Sequence, residues 1–383
     1  MDFLLYRRGV VSEKGDKLVR MGPDIITNPW QRDGGLMRSI GIRSLNEVPN
    51  LDLLRSIAVL LVAVEHTLLA MHVFWISSWN IAWVGVAGVF MFFVHTSLVL
   101  MWSLERNPNI VNFYIRRIFR IYPLAIAAIL AIVIFHIPLL QNPQGDSFFK
   151  QPPVMNVVSN ILLIQNLGWG GNILSVMWSL PLEVDMYFLL PFLFFFIRSN
   201  FKVWPLLCLW AASAAYAHAG SGTERDAFTV CIPYFVPGVI AYVLFQKTQP
   251  RLPAFLMPLF VLALLFGFMV HPTWATGWVL AILLGLGIPQ FRQIRAKWLI
   301  AASHQLAKYS YGIYLAHLFA IALGVNLLAG SNLAIRLAVI VISLALFAVA
   351  SYHLIEKPMM RLGARLAAKT DSDRRSAPVG AIS

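Results

Sequence analysis

The apolar positions of this chain neither alternate nor recur at helical spacing; they run together. From residue 51 onward, stretches of about 17 to 24 residues are almost free of charge, which is the length a bilayer core requires of a helix. Ten such runs stand out, at 51–73, 83–103, 118–140, 178–197, 203–219, 228–246, 253–271, 274–290, 309–329 and 332–355. One further segment, "PVMNVVSNILLIQNL" (153–167), is short and holds three Asn, one Ser and one Gln, so it reads as an eleventh span or a re-entrant piece. The pattern predicts an all-α polytopic membrane helix bundle of about ten transmembrane helices. One membrane domain, 49–366, lies between a basic tail at 1–48 and a C-terminal tail at 367–383.

Charge decides the doubtful segment. With it left outside and the N-terminus in the cytoplasm, 26 of the 30 Lys and Arg fall on the inner side. Only Lys150 and Arg225 are outside, while Arg55 and Arg336 sit within spans. That asymmetry follows the positive-inside rule, and an eleventh crossing would expel Arg198 and Lys202. Both termini are then cytoplasmic. The same asymmetry accounts for the net charge of +13, which in a soluble chain would suggest nucleic acid; no nucleic-acid partner is expected.

Composition agrees, since 59% of the residues are hydrophobic and 12% charged, too few polar groups to coat a soluble domain. Residues 1–48 carry Gly and Pro without an apolar core, so they read as a tail resting on anionic lipid rather than a cleavable signal. Cys208 and Cys231 lie in apolar runs and match no metal spacing, and no metal is expected.

Chemistry must come from the few polar residues inside the apolar runs. The first, "LDLLRSIAVLLVAVEHTLLAMHVF" (51–74), keeps Arg55, Glu65 and His66. Arg55 and His66 lie about three turns apart on one helix face, about 6 Å and about 22 Å into the span, and suit two ends of one long molecule. Glu65 is expected to point elsewhere. Arg55 can alternatively snorkel to the headgroups with Asp52 as partner, and His66 can be a structural hydrogen-bonding group. Ionisable groups at such depth nevertheless usually face a cavity, a partner or a pathway.

In "FYIRRIFRIYP" (113–123), Arg117 and Arg120 stand one above the other at the cytoplasmic boundary. They fit bidentate contacts to phosphate, or else an ordinary positive-inside cluster. In "MWSLPLEVDMYFLLP" (177–191), Glu183 enters from the outer side and reaches the level of His66, so the pair is expected to meet and the carboxylate to orient the ring. The alternative is a Glu capping the break made by Pro181. "GIYLAHL" buries His317 beside Tyr314, a rival base or a structural pair, and His353 is expected at the interface. In the outer loop, Trp169 with Gly170 and Gly171 suits an acceptor entrance with a sugar-stacking surface.

Five motifs in order resemble the acyltransferase-3 family of bacterial membrane acyltransferases: "LDLLRSIAVLLVAVEH", "RRIFRIYP", "WSLPLEVDMY", "YSYGIYLAHL" and "SYHLIEKPMMRL". The resemblance spans 48–366. It implies transfer of an acyl group, commonly acetyl from acetyl-CoA, to a hydroxyl of a carbohydrate or glycolipid in the bacterial cytoplasmic (inner) membrane. It further implies catalytic roles for His66 and Arg55, a site role for Glu183, and donor contacts from Arg117 and Arg120 with Arg116 beside them. Trp178, Ser179 and Tyr187 fall on the substrate side of the same motif. Either His66 acts as general base or the acyl group passes through it.

The chain departs from the family pattern in "GVFMFFVHTSLVL" (88–100). Phe90 stands where Asp is frequent, Thr96 and Ser97 replace a common Ser-Gly, and His95 is left unexplained. An esterase-like C-terminal extension, frequent in the family, is not expected. A second class stays open, a transporter or flippase for a saccharide or lipid-linked saccharide, which would also use ten spans and buried charge. The arginine pair and the absence of a visible internal repeat tell against it.

Overall fold

The computed structural model describes residues 48–138, 140–141, 147–198, 202–220 and 227–376. Apart from Val48, the expected N-terminal tail lies outside the described residues, as does Arg225. The described chain is a bundle of α-helices with two short antiparallel strand pairs, Trp75–Ile76 with Trp79–Asn80 and Leu140–Gln141 with Ser147–Phe148. The helices are α1 (Pro49–Ala70), α2 (Ala82–Arg106), α3 (Ile110–Phe135), α4 (Val154–Leu162), α5 (Ser179–Arg198) and α6 (Trp204–Ala219). They continue with α7 (Ala227–Lys247), α8 (Leu256–Val270), α9 (Trp274–Gly287), α10 (Lys297–Ile321), α11 (Leu333–Ser351) and α12 (Lys357–Ser376). Segments of π-helix extend α10 (Ala322–Leu327) and join α11 to α12 (Tyr352–Glu356).

Local signals set several boundaries. Pro49 opens α1, where its missing N–H leaves nothing unpaired. Asn109 accepts from the N–H groups of Val111 and Asn112 at the start of α3, and Asn332 accepts from Ile335 at the start of α11. Thr273 and Thr276 form a reciprocal capping box on α9.

Among the described residues, seven helical runs are long and apolar enough to cross a membrane: Pro49–Ala70, Ala82–Arg106, Ile110–Phe135, Ser175–Arg198, Thr229–Lys247, Lys297–Leu327 and Leu333–Thr370. The protein is an all-α, multi-pass membrane protein. Three of the ten expected spans are shorter helices, with 16 residues in α6, 15 in α8 and 14 in α9, or roughly 21 to 24 Å each. Their ends are cut by turn residues such as Gly220 and the His271-Pro272 pair, which hydropathy alone does not register.

The polar segment 153–167 contains the nine residues of α4, about 13 Å of helix, then Leu163 in the left-handed region and a 3-10 turn at Gln165–Leu167. Two other expectations are corrected. Helix α10 begins at Lys297 rather than near 309, because one face of its first turns, at Ser303 and Ala307, is buried while the rest is exposed or half-buried; the Ser56 hydroxyl of α1 donates to the Ser303 carbonyl at 2.9 Å. The tail expected from 367 is helical to Ser376, with Ala367 fully buried and Gly363 packed on Phe119 of α3, where any larger side chain would collide.

The bundle packs α1 between α2 and α10, α2 against α7, and α10 against α11. The family departures in α2 are absorbed here. Phe90 stacks on Tyr234 of α7 with ring centroids 3.9 Å apart, and Ser97 donates to the Phe235 carbonyl at 2.7 Å beside Gly238, whose lack of a Cβ leaves room for the hydroxyl.

Candidate active site

Five helices contribute to one cavity in the bundle. Arg55 comes from α1, His95 and Thr96 from α2, Arg117 and Arg120 from α3, Glu183 with Ser179 from α5, and Ser310, Tyr311 and Tyr314 from α10. Three guanidiniums and a carboxylate thus face one space. Arg55 does not pair with Asp52; its Nε donates to Ser310 Oγ at 2.5 Å, while Asp52 faces His304 at 3.0 Å. The snorkelling alternative is therefore corrected, because the side chain turns inward to α10.

The arginines keep donor capacity to spare. Arg117 Nε has no hydrogen-bond partner among the described residues, and its guanidinium lies 6.0 Å over the Phe113 ring. Arg120 Nη1 donates to the Met360 sulfur at 2.8 Å, a weak acceptor for a charged group. A guanidinium has five N–H groups, so both side chains can take up anionic oxygens. Arg116, expected beside them, is exposed and does not line the cavity, because the position before Arg117 lies about 100° around α3.

His66 stands outside the cavity lining. Its Nδ1 faces the Val62 carbonyl at 3.0 Å and touches the Glu65 carboxylate. Glu65 is 4% exposed, and Gly85 of α2 leaves the room its carboxylate occupies. Two acceptor oxygens at Nδ1 favour a proton on that nitrogen, and the tautomer that carries it there alone has its lone pair at Nε2. The ring packs edge to face with His317, centroids 5.0 Å apart, and His317 is 6.2 Å from the Tyr314 ring, which does line the cavity. His317 is fully enclosed, with Nδ1 on the Ile313 carbonyl and Nε2 without a partner among the described residues.

The carboxylate beside His66 is therefore Glu65, which was expected to point elsewhere. Glu183 instead accepts from the buried Tyr187 hydroxyl at 2.6 Å inside the arginine cavity. Equal depth along two helix axes does not put side chains together; the azimuth does, and α5 turns Glu183 toward α1 and α3 near Arg55 and Arg117. Tyr187 accordingly serves Glu183. Ser179 is held by Tyr314, oxygen to oxygen 2.7 Å, and Tyr314 also reaches the Val176 carbonyl, which ties α10 to the start of α5. Trp178 faces away from the arginines, and Trp169 is 53% exposed and lines neither that cavity nor the one beside Trp178.

Three residues acquire a place that sequence reasoning did not give them. Glu65 is one. His95 is the one imidazole lining the arginine cavity, and it makes no hydrogen bond among the described residues. Glu356, in the π-helical turn of "SYHLIEKPMMRL", is 1% exposed with both oxygens unpartnered among the described residues, within electrostatic reach of Arg120 and Arg55. A carboxylate at the end of the last apolar run, four residues after Tyr352, is the signal that could have found it.

A bundle of membrane helices around a buried cluster of arginine, glutamate and histidine defines a polytopic membrane protein with a polar cavity in its interior. The family model described as an acyltransferase domain matches residues 48–352, and the chain belongs to that acyltransferase-3 family. It is 29% identical over 167 residues to a peptidoglycan O-acetyltransferase, OatA, of Listeria monocytogenes, covering 39% of this chain and 25% of that protein. It is 27% identical over 176 residues to the acyltransferase MdmB of Streptomyces mycarofaciens, covering 45% of this chain and 41% of that protein. The matches thus span less than half the length of these curated relatives. No solved structure matches the chain.

Proposed function

We propose that this protein is a membrane O-acyltransferase that moves an acyl group, acetyl in the simplest case, from acyl-CoA to a hydroxyl of a carbohydrate or glycolipid, in the cytoplasmic membrane of a bacterium. The observation that carries the reading is the convergence of Arg55, Arg117 and Arg120 on one cavity, where Arg117 Nε has no partner among the described residues. Pyrophosphate and phosphate groups of CoA match those donors, and the basic residues near the start of α3 suit entry from the cytoplasm.

In the proposed reaction Nε2 of His66, polarised by Glu65 through Nδ1, takes the proton of the acceptor hydroxyl. The hydroxyl oxygen attacks the thioester carbonyl, the C–S bond breaks, and the CoA thiolate leaves and recovers the proton from the imidazolium. Arg55 and Glu183 hold the donor between the phosphate end and the carbonyl. A second reading gives the base role to His95, because that ring lines the cavity directly whereas His66 adjoins it through His317 and Tyr314.

The test is thiol release from acetyl-CoA by the purified protein in lipid nanodiscs, slowly without an acceptor and faster with one. A saccharide carrier releases none, and a flat baseline above denatured protein would return the reading to that class. The ten-crossing topology with both termini inside is tested separately, in a Cys208→Ala, Cys231→Ala background. Leu167→Cys should react with an impermeant maleimide in intact cells and Trp204→Cys should not. Both native residues are exposed on the protein surface. The reverse labelling would invert α5 and take the cytoplasmic entrance away from Arg117.

A further inference from the structure

A second cavity lies back to back with the arginine cavity, at the end of the bundle where α5 and α9 begin. Its lining contains no charged side chain. Instead it presents amides, Gln165, Asn166 and Asn172, and two indoles, Trp178 and Trp274, over a floor that includes Leu182 and Cys231. We infer that this pocket is the subsite for a neutral sugar ring of the acceptor, separate from the donor cavity; this rests on the acyltransferase reading above.

The amides make a polar, uncharged wall in which two orientations are fixed by hydrogen bonds. Gln165 is 6% exposed, and its Nε2 is committed to the Met177 carbonyl at 3.2 Å and Asn172 Oδ1 at 3.3 Å, which fixes the amide orientation. Its Oε1 has no partner among the described residues. Asn166 repeats the pattern, with Nδ2 donating to Asp185 Oδ2 at 2.6 Å and a buried Oδ1 left without a partner among the described residues. Both oxygens are enclosed behind the lining, and an unpaired buried carbonyl oxygen is unfavourable, so a small shift of either amide toward a ligand rich in O–H donors would satisfy it.

The indoles supply the other half of sugar recognition, an apolar face for C–H groups. Trp274 is 44% exposed, and its ring sits edge-on to Trp178 at 6.2 Å and to Trp83 at 6.0 Å, so neighbouring rings fix its plane. Without a guanidinium or ammonium in the lining, nothing there favours a phosphate or a carboxylate.

The first turns of α5 form the wall between the two spaces. Trp178 and Leu182, four residues apart, face the amide pocket, while Ser179 and Glu183, also four apart, face the arginines. Trp178 also touches Phe93 of the donor cavity, ring centroids 6.4 Å apart. A sugar seated here would lie against Trp178, one residue along the chain from Ser179, which Tyr314 binds, and the Tyr314 ring is 6.2 Å from that of His317.

The experiment uses the full-length protein in nanodiscs and saturation-transfer NMR with glucose, galactose, mannose, N-acetylglucosamine and their trisaccharides at millimolar concentration, with glucuronate as the charged control. At least one neutral sugar should give a signal that glucuronate does not. Trp274→Ala and Asn172→Ala should each weaken that signal several-fold while acetyl-CoA binding and acceptor-free thiol release stay at wild-type values. Asn172 is exposed, so its variant tests the pocket even where Trp274→Ala fails to fold. No binding by any neutral sugar, or binding unchanged in Asn172→Ala and in every folded indole variant, would overturn the assignment. Sugar binding without thiol release would leave the subsite standing and remove the acyltransferase reading. Thiol release without sugar binding would do the opposite.

Discussion

The two cavities flanking the start of α5 are near neighbours with opposite chemistry. One gathers three arginines, two tyrosines, a glutamate and a histidine; the other has amides and indoles and no formal charge. Charge in a low-dielectric site selects for counter-charge, and its removal affects affinity strongly. Neutral hydrogen bonds and ring faces select for shape, with smaller energies per contact. One helix can serve both because residues one apart point about 100° away from each other. The contrast supports an anionic donor approaching one face of α5 and a neutral acceptor approaching the other.

The comparison breaks most sharply at the base. Replacing His66 by Ala should lower acyl transfer at least about 100-fold, the usual effect of losing a general base, with donor and sugar binding both retained. His95→Ala is the matching control, expected to lower donor affinity without abolishing turnover, since His95 lines the arginine side alone. Transfer measured with both variants at saturating acetyl-CoA decides between them. A dead His95→Ala beside an active His66→Ala would move the base into the donor cavity. Glu65→Gln should fall between wild type and His66→Ala, since the amide keeps the shape but not the charge at Nδ1.

A smaller effect sharpens the donor side. Arg117→Ala and Arg120→Ala should each weaken acetyl-CoA binding by about 1 to 3 kcal/mol, as for loss of a charged hydrogen-bond partner. Equilibrium binding reads this directly. Neither change should alter sugar binding, and equal loss in both cavities would mean that the variants disturb the fold rather than one site.

Much of the donor cavity is legible in the chain itself. Runs of apolar residues locate the helices, and Arg55, Arg117, Arg120 and Glu183 stand out because ionisable groups deep in such runs need a reason to be there. All four line one cavity. Azimuth and neighbour identity are not legible in the same way. Depth along the chain gives a side chain's level but not its direction, so depth pairs Glu183 with His66 although Glu65 is the residue that touches the ring. His95 sits in an apolar stretch with no motif around it, and Glu356 lies where an α-helix widens to a π-turn. In the loop before α5 the indole of Trp169 stands out as a sugar-stacking surface, whereas Gly170, Gln165, Asn166 and Asn172 are the loop residues that line the amide pocket. Amides in a loop carry no periodic signal.

The finest adjustment of the comparison lies at Ser310, where α10 holds the arginine nearest the first span's start. Arg55 Nε donates to Ser310 Oγ at 2.5 Å, and that hydroxyl donates onward to the Ala307 carbonyl at 2.8 Å. Ser310 is 1% exposed, so removing its oxygen leaves a charged donor to find another acceptor inside the cavity. Ser310→Ala should therefore affect transfer through Arg55 alone, by about 1 kcal/mol, or roughly fivefold in kcat/KM for acetyl-CoA. Ser310→Thr keeps the hydroxyl and should restore most of the difference. Kinetics at varied acetyl-CoA with a fixed acceptor measures it, and an effect confined to the acceptor KM would place Arg55 on the other side of α5.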